Sequence, residues 1–209
     1  MIFGAGAVAE WGRIRALLGT PDLVICADGG VRHALALGLT PDLVLGDFDS
    51  AGPAVVAEIA ARGIPVHKVP TEKDETDAEL AIQEALKLGA TAITLVGVTG
   101  GRLDHTVANL LLLPGIPGKV EVRVLDTSAV LWLLRPGGRI TVPAQPGAYL
   151  SLLPLSPEVR GVVAEGVQWP LAGETLRWGQ TRGVSNRISA DEAFIAVRDG
   201  YLLVIQAWE

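Results

Sequence analysis

Two rhythms of apolar residues divide the chain. Over its first 125 positions, short aliphatic or β-branched runs at 22–27, 42–46, 65–69, 92–97 and 119–124 are separated by longer stretches with helical spacing. Short runs bounded by turn residues read as buried strands, and the stretches between them as helices. Gly38, Gly63 and Gly89 each stand just before the next apolar run, where a glycine closes a helix. Ser50 with Pro53 opens the stretch 54–62, and Thr76 opens the one that reaches Leu88. Strand and helix alternating at this spacing predict an α/β domain over residues 1–125, a Rossmann-like parallel sheet with helices on both faces. Residues 1–6 make only a very short first strand and a glycine turn.

After Leu125 the helical period fades, and short strand-like runs are punctuated by Pro136-Gly137-Gly138, Pro146-Gly147 and Asp199-Gly200. Residues 126–209 therefore read as a small antiparallel β-sandwich or barrel, with Asp199-Gly200 as the turn of a hairpin joining 193–198 to 201–207.

Composition narrows the classes. With 209 residues, 49% of them apolar, the chain can bury a core and is not disordered. A net charge of −6 (17 basic, 23 acidic) disfavours a nucleic-acid partner, which needs a basic footprint, but leaves room for a small anion carried with a metal. The longest apolar runs, 92–98 and 110–113, are too short to cross a bilayer, so no membrane partner is expected. The opening MIFGAGAVAE has no basic segment before an apolar one, and Cys26 is the only cysteine, so neither a secretion signal nor an intrachain disulfide is expected. A cytoplasmic protein is the simplest reading.

In an open parallel sheet, ligands gather at the carboxyl ends of the strands. Asp28-Gly29-Gly30 ends the second strand, where glycines let a ligand approach the backbone; alone, it reads as readily as a helix cap and turn. Asp47 and Asp49 end the third strand, and residues two apart in extended backbone project to one side. Two converging carboxylates repel unless a cation lies between them, and hard oxygen donors suit Mg²⁺. The segment 71–77 follows the fourth strand and brings Lys73 to the same edge. Thr99-Gly100-Gly101-Arg102 follows the fifth strand: its glycines open the backbone, Arg102 suits a phosphate, and Asp104 can cap the next helix. His105 and Asn109 lie one turn apart on that helix. No G-x-x-x-x-G-K-[ST] is present, so the phosphate site is not a P-loop.

Taken in order, ADGG (27–30), PDLVLGDFDS (41–50), PTEKDETDAELA (70–81) and TGGRLDHTVANL (99–110) resemble the thiamine pyrophosphokinase family, as do GVQWPL (166–171) and GVSN (183–186) further on. The resemblance implies transfer of the pyrophosphoryl group of ATP to the hydroxyl of thiamine, giving thiamine diphosphate and AMP. It also implies an α/β catalytic domain, a β-sandwich that binds thiamine, and a homodimer with thiamine near its interface. On that pattern Asp28, Asp47, Asp49 and Asp77 would hold Mg²⁺. Gly29, Gly30, Lys73, Asp74, Thr76, Thr99, Gly100, Gly101, Arg102 and His105 would surround ATP. Trp169 would stack on a thiamine ring, and Ser185 and Asn186 would hydrogen-bond it. Asp74 or Asp104 would orient the hydroxyl and accept its proton, and the sequence does not choose between them. Two other readings stay open: a Mg-ATP-dependent phosphotransferase acting on a different small alcohol, and a non-catalytic thiamine or nucleotide sensor. The presence of every candidate carboxylate opposes the sensor.

Overall fold

The computed structural model describes residues 1–46, 52–70 and 72–208. They form two compact units, Met1–Thr127 and Ser128–Glu209.

In the first unit the strands are β1 (Ile2–Phe3), β2 (Ile25–Ala27), β3 (Leu43–Gly46), β4 (Val66–Lys68), β5 (Ala92–Val96) and β6 (Glu121–Leu125). Every pairing among them is parallel, in the order β4-β3-β2-β1-β5-β6. Interior strands are buried along their length, as in β1 and β2, because a parallel sheet is covered on both faces. β4 closes one edge, is exposed throughout and carries His67 and Lys68, side chains that discourage further strand addition.

The chain winds outward from β1 through β4, then returns to place β5 on the other side of β1. Right-handed crossovers in opposite directions put helices on opposite faces and open a crevice where the direction reverses. The helices are α1 (Gly12–Leu18), α2 (Val31–Ala36), α3 (Pro53–Ala61), α4 (Asp77–Lys87) and α5 (Leu103–Leu112). Thr76 caps α4, its hydroxyl accepting the Glu79 N–H at 3.1 Å. Ala78, Ala81, Ile82 and Ala85 form the buried stripe of α4, which packs on β1, β2 and β3. Gly38, Gly63 and Gly89 close their helices at φ of 77°, 62° and 84°, which is why glycine stands there.

The second unit contains β7 (Ala129–Leu134), β8 (Arg139–Pro143), β9 (Tyr149–Pro154), β10 (Glu158–Glu165), β11 (Leu171–Arg177), β12 (Glu192–Ala196) and β13 (Leu202–Ala207). Its antiparallel ladders run β7-β13-β9 and β11-β10-β12-β8. Leu134, Leu150, Leu152 and Val204 from the first ladder share one core with Val142, Val159, Val162 and Ile195 from the second, the arrangement of a sandwich.

The Asp199-Gly200 hairpin is a misreading. β12 and β13 belong to different ladders and do not pair. The chain around the turn bonds instead to β10, with the Arg160 N–H donating to Asp199 O at 2.9 Å and the Arg198 N–H to Arg160 O at 3.0 Å. A D-G turn specifies only a local reversal. Here non-local pairing and the shared core decide which strands become neighbours.

Candidate active site

The crevice between β1 and β5 is built from backbone before side chains enter it. The loop leaving β1 runs along the loop leaving β5, with Gly4 N–H donating to Val96 O at 2.8 Å, Gly6 N–H to Gly97 O at 2.7 Å and Ala7 N–H to Gly100 O at 3.1 Å. No side chain fits between them: a Cβ on Gly6 would lie 2.0 Å from Thr99 O, and one on Gly4 2.6 Å from Gly97 O. The short N-terminal strand and its G-A-G turn are thus one wall of the site. The glycines were legible in the sequence, but their partner loop, more than 90 residues away, was not.

The result is a cleft of about 720 Å³ lined by Gly4, Ala5, Gly6, Asp28, Lys73, Asp74, Glu75, Thr76, Asp77, Thr99, Gly101, Arg102, His105 and Asn109, among others. That volume suits a ligand of nucleotide size. Of the residues singled out from the sequence, Asp28, Lys73, Asp74, Thr76, Asp77, Thr99, Gly101, Arg102 and His105 meet here. Gly29, Gly30 and Gly100 shape the backbone without lining the cleft; a Cβ on Gly30 would lie 2.0 Å from Phe3 O. Asp47 and Asp49 lie outside the described residues.

Charge in the cleft is unbalanced. Among the described lining residues, the carboxylates are Asp28, Asp74, Glu75 and Asp77, against the cations Lys73 and Arg102. Asp28 is buried at 7% exposure and held at φ 46°. Lys73, itself largely buried, places its ammonium 2.9 Å from Asp77 Oδ1 and donates to Pro70 O at 3.2 Å. Asp77 Oδ1 is shut off from solvent, and its contact with Lys73 is an ion pair rather than an aligned hydrogen bond. Among the described residues, no three His, Cys, Asp or Glu side chains converge on one point. A buried carboxylate oxygen against the Lys73 ammonium, with Asp28 lining the same cleft, nevertheless fits a hard divalent ion bound jointly with a phosphate ligand.

Arg102 and Asp104 engage each other. The guanidinium donates to the two carboxylate oxygens at 2.6 and 3.2 Å, and the His105 N–H adds a third bond at 3.0 Å. Arg102 first, and then that N–H, hold the Asp104 carboxyl down at about 2, so it is a weak proton acceptor. Asp104 sits in the first turn of α5 with Arg102 at the cap position, and it does not line the cleft.

Three residues not put forward as site residues hold the loops in place. Asn109 is 7% exposed, and its Nδ2 donates to Val98 O at 2.8 Å, fixing the loop after β5. Asp126 accepts the Thr99 hydroxyl. His33 donates Nε2–H to Gly6 O at 2.8 Å, and burial pushes its imidazole below its ordinary value of 6.5, so it stays neutral. A histidine or asparagine in a helix carries no sequence mark of such a partner.

The second unit holds the remaining candidates. Trp169, in the segment between β10 and β11, is 56% exposed. Asn186 is buried and clamps it: Nδ2 donates to Trp169 O at 2.7 Å, and Oδ1 accepts from the Trp169 and Arg187 N–H groups at 3.1 and 2.8 Å. Ser185 has φ 59°, and its N–H donates to Ser151 Oγ at 3.0 Å. Asp28 and Ser185 are the only non-glycine residues at positive φ among those described, one in each unit. Such strain gathers where geometry serves a ligand.

Comparison with known proteins follows the same division. Residues 14–123 match the family described as "Thiamin pyrophosphokinase, catalytic domain", and residues 139–202 match "Thiamin pyrophosphokinase, vitamin B1 binding domain". The thiamine pyrophosphokinase of Bacillus subtilis is 28% identical over 186 residues, covering 88% of this chain and 87% of that protein. The crystal structure of thiamine pyrophosphokinase from Bacillus subtilis superposes with a TM-score of 0.87 at 26% identity, covering 100% of this chain and 98% of that one. The structure of thiamin pyrophosphokinase from Geobacillus thermodenitrificans gives 0.82 at 30% identity, covering 100% and 96%.

Proposed function

The chain belongs to the thiamine pyrophosphokinase family, and we propose that it transfers the pyrophosphoryl group of ATP to the hydroxyl of thiamine, yielding thiamine diphosphate and AMP. The observation that carries this reading furthest is the cleft at the β1/β5 crevice, where glycine backbone, Lys73 and Arg102 meet a surplus of carboxylates. Such a lining repels a bare triphosphate and welcomes one neutralised by metal.

A kinase that uses ATP implies a divalent metal, and we take it to be Mg²⁺, held by Asp28 and Asp77 with Asp47 and Asp49. When bound, the ion neutralises the triphosphate and fixes its geometry. The chain's own residues do the rest. The Gly4–Gly6 and Gly97–Gly101 loops offer backbone to the nucleotide. Lys73 and Arg102 balance charge on the transferred group and on departing AMP. Asp74 orients the thiamine hydroxyl and takes its proton as the oxygen bonds to the β-phosphorus and the bond to the AMP oxygen breaks. Asp74 is preferred to Asp104 because it lines the cleft and is not held by Arg102. On the second unit Trp169 offers its face to the cationic ligand, Ser185 bonds it, and Asn186 acts by fixing Trp169.

Incubation with ATP, Mg²⁺ and thiamine tests the reaction: AMP and thiamine diphosphate are expected in equal amounts. ADP as the product would sink the proposal.

We also propose a homodimer working in the cytoplasm, where ATP is supplied. α5 exposes Leu103, Val107 and Leu111 at 77%, 47% and 57%, one above another along the helix, a stripe that association would cover. Sedimentation velocity should show a dimer, and a monomer at micromolar concentration contradicts it.

A further inference from the structure

We propose that Lys73 is an internal counter-ion, keeping Asp77 closed to a bare divalent cation and releasing it when the metal arrives together with nucleotide phosphates. The inference rests on reading the cleft as the metal–nucleotide site, and it assigns to Lys73 a second task besides contacting phosphate.

Three observations carry it. The Lys73 side chain is only 14% exposed, unusual for lysine, and its ammonium lies 2.9 Å from Asp77 Oδ1. That oxygen is buried and makes no aligned hydrogen bond among the described residues, where the ammonium is the charge that compensates it. The two partners also differ in freedom. Asp77 is the first residue of α4, fixed behind the Thr76 cap, whereas Lys73 precedes the helix and carries its charge on a flexible four-carbon stem. Lys73 is therefore the partner that moves.

An ammonium and a dication at contact distance to one carboxylate oxygen repel each other, so a metal binding there favours displacement of the ammonium. A bare metal ion that displaces Lys73 leaves a largely buried ammonium without its anion. A metal–nucleotide complex brings that anion with it, since its phosphates enter the cleft that Lys73 lines. The affinities for metal and nucleotide then raise each other reciprocally.

The test needs no turnover. Mn²⁺ binding to nucleotide-free protein is followed by electron paramagnetic resonance for wild type, Lys73→Met, Lys73→Arg and Asp77→Asn, each shown to be folded by circular dichroism. Lys73→Met should bind bare Mn²⁺ about tenfold tighter, the smallest effect of removing an opposing charge at this range. It should bind Mn²⁺ with α,β-methylene-ATP more weakly than wild type. Lys73→Arg keeps the charge and should keep the weak affinity for bare Mn²⁺. Unchanged or weaker Mn²⁺ binding by Lys73→Met overturns the inference, as does tightening by Lys73→Arg to the same extent. Asp77→Asn separates this failure from that of the site assignment. If it retains wild-type affinity for Mn²⁺ supplied with α,β-methylene-ATP, the state in which Lys73 has released the carboxylate, Asp77 is no ligand and both readings fall. If it loses affinity while Lys73→Met does not tighten, only the counter-ion role fails. Should Lys73→Met not fold, Lys73→Gln gives the same readout.

Discussion

The parallel sheet of the first unit has a cleft at each edge, and the two differ far more in chemistry than in size. The cleft at the carboxyl edge measures about 720 Å³ and that at the amino edge about 590 Å³. The first gathers Asp28, Lys73, Asp74, Glu75, Asp77 and Arg102. The second is lined by Ile2, Leu18, Leu23, Ile25, Leu88 and Ile93 together with Thr20, Thr91 and Thr94, with Asp22 and Arg123 as its charged side chains. Arg123 is already engaged, donating Nε–H to Thr94 Oγ1 at 2.9 Å and Nη2–H to Leu18 O at 3.1 Å. Topology explains the contrast. Every strand points the same way, so helices begin at the carboxyl edge with free N–H groups and end at the other with free carbonyls. Residues 88–90, at the end of α4, line the amino-edge cleft, whereas Thr76, Asp77 and Ala78 at its start line the other. Volume alone does not distinguish a site from a gap. The direction of the chain does.

The sharpest test of this contrast is Asp28→Asn. Asparagine tolerates positive φ at least as well as aspartate, so the change removes charge at φ 46° without adding backbone strain. If the carboxyl edge works through its carboxylates, turnover should fall at least ~10²-fold, the scale of losing one preorganised electrostatic group. Near-normal turnover at saturating Mg²⁺ would remove Asp28 from the working edge and weaken the comparison.

How much of this edge could be read in advance depends on the distance over which each feature is specified. Strand–helix alternation, the glycine stops and the Thr76 cap are local, and each appears where the sequence put it, within three residues. The acidic and glycine segments after β2, after β4 and after β5 were visible as chemistry, and the rule about carboxyl ends was enough to bring Asp28, Lys73, Asp77 and Arg102 to one place. What stayed hidden was non-local. Gly4 and Gly6 are explained only by the Gly97–Thr99 backbone against them, and Asn109 only by Val98 O. Asp104 reads from the sequence as a helix cap or a base, and spacing alone does not announce its pairing with Arg102. In the second unit the Asp199-Gly200 turn misled because a dipeptide cannot say which ladder the next strand joins. The resemblance makes Asn186 a ligand contact, and nothing in the G-V-S-N motif that contains it announces its bonds to Trp169.

The amino edge supplies the smaller and more discriminating test. Arg123→Met keeps most of the side-chain volume while removing both hydrogen bonds of the guanidinium. At ~0.5–1.5 kcal/mol for each net bond, the variant should lose about 1–3 kcal/mol of stability in urea unfolding. Its kcat/KM for ATP and for thiamine should match wild type at a temperature where both proteins are folded. That outcome marks Arg123 as a brace between β6, β5 and the end of α1, and the amino-edge cleft as packing geometry rather than a second site. The opposite outcome, a loss of kcat/KM with stability intact, would mean the edges are coupled. The route would be short, because Thr94 lies on β5 only three positions before Gly97, whose carbonyl receives the Gly6 N–H in the carboxyl-edge cleft. A rigid parallel strand should instead hold that carbonyl in place from its own ladder, with Ile2↔Leu95 and Phe3↔Val96 on one side and Leu95↔Val124 on the other. Those pairings do not depend on the Arg123 guanidinium, which is why the expected effect on catalysis is nil.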